Sequence, residues 1–210
     1  MKLSAPIESL VPGLRGRVLT AMVRAATPLS LRELARRAGS ADSPSSVKRV
    51  VLELVEEGMA FLALSSKANH FYDLNREHLV VRHLIELDRA KENTLVLIET
   101  QVAQWPHLPR SVVLFGSVAR GEDTSRSDLD LLVVWEGENP TSDQWTQAKH
   151  LLSNSVRDLT GNSVSLMEFS HKEWDTAVEQ REPLLDAIAR EGVRVAGESV
   201  RSLMRPRGGK

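Results

Sequence analysis

The chain has 210 residues, enough for one large domain or two small ones. Its 27 Lys/Arg face 28 Asp/Glu for a net charge of −1, so no global basic field draws in nucleic acid, and the absence of cysteine excludes disulfide and thiolate chemistry. Hydrophobic residues at 41% and charged residues at 26% are ordinary for a soluble globular protein, and no apolar run approaches the length of a membrane span.

The start, Met1 to Pro6, leads into no long apolar stretch, so no signal peptide, no membrane partner and a cytoplasmic location are expected. Leu10, Val11, Leu14, Val18, Leu19, Met22 and Val23 recur at helical spacing and predict a helix over Ile7 to Ala25. Ser30 and Glu33 form a Ser-x-x-Glu capping box that opens a second helix, with Leu31, Leu34 and Ala35 inward and Gly39 as its stop. A third helix is expected from about Ser43, with Pro44 at its first position. Val47, Val50, Val51, Leu54 and Val55 are its buried stripe, and Gly58 ends it. Met59 to Leu64, a polar tip over 65–69 and His70 to Leu74 then read as a β-hairpin.

Three helices followed by a hairpin resemble a winged helix-turn-helix domain, here placed at residues 1–75. The resemblance implies that the third helix enters the major groove of double-stranded DNA and that the hairpin touches the backbone. Ser45, Ser46, Lys48 and Arg49 on that helix, and Lys67 at the hairpin tip, are then the candidate DNA contacts. Residues 1–75 hold ten Lys/Arg against seven Asp/Glu, a modest local excess.

Arg76 to Trp105 reads as one long helix carrying Val80, Leu84, Leu87, Leu95, Ile98 and Val102, interrupted by Lys91. It is a linker over 76–105 that serves as a spacer, as a homodimer surface or as packing for its own domains. Pro106 and Pro109 mark the boundary of a second domain, residues 106–200. There the pattern gives a strand Ser111 to Phe115, the turn Gly116-Ser117-Val118-Ala119-Arg120-Gly121, then Ser127-Asp128-Leu129-Asp130 leading into a strand Leu131 to Val134. A helix over Ser142 to Leu159 follows, with Trp145, Ala148, Leu151, Leu152 and Val156 inward. A strand Val164 to Phe169, a helix Lys172 to Arg190 with Leu184, Leu185 and Ile188 inward, and a strand Val193 to Gly197 complete it. Residues 201–210 read as a flexible tail. The sum is a two-domain α/β (α+β) chain whose second domain holds a mixed sheet.

The chemistry concentrates in the Gly-Ser turn and the Asp-x-Asp pair. Alternate residues of a strand face the same side, so Asp128 and Asp130 project together. Two such carboxylates repel unless a cation lies between them, and hard oxygen ligands suit Mg²⁺ shared with phosphates. Gly116 permits close approach of backbone to an anion, and a helix starting there favours a phosphate that the Ser117 hydroxyl can also bind. Arg120 is either a phosphate partner or a surface residue.

Gly-Ser-x-Ala-Arg-Gly, the five residues Glu122 to Arg126, then Ser-Asp-x-Asp-Leu resembles the signature of minimal nucleotidyltransferases of the DNA polymerase beta superfamily. The resemblance implies Mg²⁺-dependent transfer of a nucleoside monophosphate from an NTP, taken as ATP, to a hydroxyl acceptor. Small molecules, a protein partner and nucleic-acid ends all qualify as acceptors. Gly116 and Ser117, with Arg120 and Ser127, would hold the nucleotide, and Asp128 and Asp130 the metal. In the family a third carboxylate stands on the neighbouring strand, where the best alignment of this chain places Ser165. Glu168 is three residues on, so strand alternation turns it to the opposite side from Ser165 unless a bulge or its longer side chain brings it back. Glu168 then serves instead, or Asp123 does, or the site binds nucleotide and turns over poorly. Trp135 either lines a nucleotide pocket or belongs to the core. The alternative function is a DNA-binding regulator or toxin–antitoxin component whose second domain senses nucleotides or is inactive.

Overall fold

The computed structural model describes residues 1–39, 44–65 and 69–205. The chain divides into two compact units, Ala5–Ala90 and Met1–Ser4 joined to the residues from Lys91 onward. Ser43, Lys67 and the rest of the hairpin tip at 66 and 68 lie outside the described residues, as do 206–210.

The unit Ala5–Ala90 contains α1 (Pro6–Leu10), α2 (Leu14–Val23), β1 (Leu29–Ser30), α3 (Leu31–Arg37), α4 (Pro44–Glu56), β2 (Ala60–Ser65), β3 (His70–Leu74) and α5 (Leu79–Asp88). The helix expected over Ile7 to Ala25 is two helices, because Val11-Pro12-Gly13 turns the chain and Gly13 adopts φ 84°, which L side chains rarely adopt. The capping box of α3 is present: Glu33 N–H donates to Ser30 Oγ at 3.3 Å, and Ser30 N–H donates to Glu33 Oε2 at 2.9 Å. β2 and β3 form the hairpin. The two-residue β1 adds to β3, giving the antiparallel order β1-β3-β2. Leu19, Leu34, Val47, Val51, Leu54, Tyr72 and Leu74 are buried in one core. Each buried Val or Leu side chain contributes roughly 1.5–3 kcal/mol to holding these elements together.

The stretch 76–105, read as one helix, is two: α5 and α6 (Ala90–Val102), with Arg89 between them at φ −81°, ψ 2°. No proline or glycine marks this break.

The second unit continues with β4 (Ser111–Phe115), α7 (Gly116–Arg120), β5 (Leu129–Val134), α8 (Asp143–Thr160), β6 (Val164–Phe169), α9 (His171–Glu179), α10 (Pro183–Glu191), β7 (Val193–Gly197) and α11 (Val200–Leu203). Its sheet is mixed, in the order β6-β5-β4-β7: β5 and β6 run parallel, and β4 runs antiparallel to β5 and β7. Val113, Leu132 and Val134 on one face pack with Trp174, Ala177, Leu185, Ile188, Val200 and Leu203 of α9, α10 and α11. Val112, Leu114, Leu131 and Val133 alternate to the other face and are fully buried too. On that side Trp105, Trp135 and Trp145 pack together with ring centroids 4.6–6.0 Å apart, Trp145 meeting the other two edge to face. Trp135 is thus a core residue at 2% exposure.

The structure departs from three further expectations. The helix over Lys172 to Arg190 breaks into α9 and α10, since Pro183 cannot continue a helix and opens the second one. Leu151 and Leu184 face outward, because the buried stripes run through Leu152 and Leu185 one position later. Order also continues past residue 200, as α11 buries Val200 and Leu203. No helix among the described residues is long and apolar enough to cross a membrane.

Candidate active site

The site forms where β4 ends beside the start of β5. Phe115, last in β4, pairs with Asp130, second in β5. The chain then enters α7 through Gly116 at φ 72°. A Cβ at Gly116 would overlap Asp130 Oδ2 and stand 3.2 Å from its Cγ. Only glycine fits here, on two counts: the positive φ and the carboxylate packed on its Cα. The two halves of the motif therefore meet, with Ser117 half-buried in the first turn of α7 and no side chain capping that turn.

Asp128 is exposed and Asp130 half-buried. Burial raises the pKa of the Asp130 carboxyl, the neighbouring Asp128 raises it further, and Arg120 partly opposes both. These are the electrostatics of a carboxylate pair short of positive charge. The pair fits one hard divalent cation that shares its shell with water and phosphate oxygens. Among the described residues no three His, Asp or Glu side chains converge.

The parallel register of β5 and β6 places Ser165 directly beside Asp130. Glu168 pairs with Val133 and points to the opposite face, where Oε1 meets Lys149 Nζ at 3.1 Å and Oε2 accepts from Trp135 Nε1 at 3.2 Å. The structure does not bring Glu168 to the aspartate pair, since three residues along a strand reverse the face. Asp123 is 3% exposed and accepts the Ser4 backbone N–H at 3.2 and 3.3 Å.

Arg120 is exposed and engaged: its Nε meets Glu122 at 2.7 Å and its Nη1 lies 3.6 Å from Glu191. Ser127 closes a turn, its Oγ accepting from Thr124 N–H at 2.9 Å. On α4, Ser45, Lys48 and Arg49 are exposed and Ser46 half-buried, and Arg49 lies 4.0 Å from Glu53.

Three positioning contacts were not anticipated from the sequence. Lys91 Nζ donates to the carbonyls of Val118 and Ala119 at 2.7 and 3.4 Å, which tethers the C-terminal end of α7. Asn162, 3% exposed, donates through Nδ2 to the Ser127 carbonyl at 2.8 Å, one residue before Asp128. Ser4 holds Asp123 at the start of the same loop. Each links residues at least 27 positions apart, beyond any local pattern.

Residues 97–186 match the family model of a nucleotidyltransferase domain. That segment carries β4, α7, β5, α8, β6 and α9, and with them Gly116, Ser117, Asp128, Asp130 and Ser165. Among curated proteins none matches the chain. Similar solved structures include a toxin–antitoxin with AMP-PNP, at 16% identity over 54% of this chain and 80% of that one, TM-score 0.36. Another is a toxin–antitoxin MntA–HpeT mutant, at 12% identity over 52% of this chain and 80% of that one, TM-score 0.35.

Proposed function

We propose that this chain is a cytoplasmic, Mg²⁺-dependent nucleotidyltransferase that moves a nucleoside monophosphate from an NTP, taken as ATP, to a hydroxyl acceptor. The observation that carries the reading is the packing of the Asp130 carboxylate on the Cα of Gly116. It sets a backbone suited to phosphate against a carboxylate pair suited to a cation, within the segment that matches the family model. Asp128 and Asp130 would hold Mg²⁺, which when bound supplies charge neutralisation for the phosphates. Gly116 and Ser117 would orient the triphosphate so that the acceptor oxygen faces the α-phosphorus. A new P–O bond forms to the acceptor, the α–β bridging P–O bond breaks, pyrophosphate leaves, and the acceptor's hydroxyl proton passes to water. Ser165 puts no carboxylate beside Asp130 to take the acceptor's proton, so turnover is slow. Arg120 and Ser127 act at the border of the site, one through Glu122 and the other through its turn.

The test is incubation with α-labelled NTPs, Mg²⁺ and candidate acceptors from a cell extract. Labelled product is expected from the natural chain and not from Asp128→Asn/Asp130→Asn. Equal labelling by both proteins would sink the reading.

A second reading concerns the other unit. The order α2-β1-α3-α4-β2-β3 with sheet order β1-β3-β2 supports a winged helix-turn-helix that binds double-stranded DNA through Ser45, Ser46, Lys48 and Arg49 on α4. Under this reading the chain is a DNA-binding regulator or a toxin–antitoxin component. DNA affinity that falls with salt, and falls less steeply in Lys48→Gln/Arg49→Gln, is the expected result.

A further inference from the structure

A cavity of about 210 Å³ opens where α10, β7 and α11 meet. Its floor is apolar: Val113, Ile188 and Val200 are 2–4% exposed. Its rim carries Arg190, Arg194 and Arg201, one from each of the three elements.

Two of these guanidiniums are anchored by backbone rather than by acid. Arg194 Nη1 donates to the Gly197 carbonyl at 3.1 Å, and Arg201 Nε donates to the Ala189 carbonyl at 2.9 Å. Among the described residues neither has a carboxylate within ion-pair distance. Arg190 reaches only Glu191, at 4.0 Å, and Glu191 also faces Arg120 at 3.6 Å. Three arginines thus line one concavity over an apolar floor, and among the described residues Glu191 is the one carboxylate within ion-pair distance of any of them. An anchored guanidinium still has N–H donors to spare, set in a fork that matches phosphate oxygens. Three forks arriving from three directions suit a tetrahedral anion with several free oxygens better than a planar carboxylate.

We propose that the Arg190–Arg194–Arg201 cavity binds a phosphate group, at a site separate from the aspartate pair. The assignment does not rest on nucleotidyl transfer. A free oligophosphate and a nucleic-acid phosphodiester offer the same chemistry, and the experiment separates them.

The background protein is the full chain with Lys48→Gln and Arg49→Gln, studied without divalent metal and with Asp128 and Asp130 left in place, so that the DNA-facing lysine and arginine are removed and the metal-free carboxylates repel phosphate from the Gly116 turn. Inorganic pyrophosphate is titrated calorimetrically, and a single-stranded thymidine oligonucleotide is titrated at several salt concentrations. Adding Arg194→Gln/Arg201→Gln is expected to weaken binding by about tenfold or more. It should also flatten the salt dependence of the oligonucleotide by about 0.7 for each phosphate no longer neutralised. Arg190→Gln, which breaks no backbone hydrogen bond, is expected to weaken binding alone and keeps the test open if the double variant does not fold. Loss of pyrophosphate binding assigns the site to free oligophosphates. Loss confined to the oligonucleotide assigns it to phosphodiesters. No binding of either ligand by the background protein, or binding of both that survives the arginine substitutions, overturns the proposal.

Discussion

Asp130 is the residue on which the candidate site turns, because its surroundings push its carboxyl toward the neutral form. Burial and Asp128 both raise its pKa above the ordinary aspartate value of 3.8. The folded chain therefore holds this proton more tightly than the unfolded chain. The stability so gained is full below the ordinary value and is lost as pH rises through the raised one. Without metal, Asp130→Asn should then melt higher than the natural chain near neutral pH, with the gap closing on acidification. Thermal melts in EDTA across that range check it, and a gap that does not widen with pH would contradict the electrostatic account. Ser165 offers the complementary test. It is exposed and in register with Asp130, so a new carboxylate there costs little desolvation. Ser165→Asp is expected to lower the Mg²⁺ concentration needed for half-maximal transfer and to raise turnover. Unchanged metal dependence would mean that the β6 position does not reach the ion.

At the level of elements, the loop between α7 and β5 is held at both ends from a distance. Asp123 takes the Ser4 N–H at one end, and Asn162 grips the Ser127 carbonyl at the other. Asn162→Ala would leave that carbonyl without its buried donor, at a cost of about 1–3 kcal/mol. It should also raise the Mg²⁺ requirement, because Asp128 follows Ser127 directly. Denaturant melts and metal titrations of transfer measure the two effects, and a stability loss with unaltered metal dependence would make Asn162 purely structural. These contacts explain what the sequence made legible and what it did not. The Ser30–Glu33 box, the α4 stripe and the Gly116–Asp130 motif are local patterns, and local spacing sufficed to read them. The break at Pro183 was written in the chain, yet apolar periodicity on both sides of it suggested one continuous helix. The break at Arg89 has no such mark. Lys91, Asp123 and Asn162 act on partners brought close only by the fold, so no spacing rule could assign them. Glu168 was legible in the negative: strand alternation alone set it on the wrong face, and its engagement with Lys149 and Trp135 accounts for its burial.

The molecule as a whole has two cores, one built on α2, α3 and α4 with their small sheet and one on the four-stranded mixed sheet. Each buries its own apolar set, so each should unfold with its own midpoint rather than in one transition. Val51 tests this, being fully buried in the first core and remote in sequence from every residue of the candidate site. Val51→Ala removes two methyl groups, worth about 1.6 kcal/mol in transfer energy before any cavity penalty. For a unit of this size that shift corresponds to a fall of about 6–13 °C in midpoint. Scanning calorimetry should show one transition falling by that amount while the other stays in place. Addition of Mg²⁺ with ATP should raise only the stationary transition, because a ligand stabilises the unit that binds it. A single transition that moves as one body in both experiments would mean that the units unfold cooperatively and that ligand binding at the aspartate pair reaches α4 through the fold.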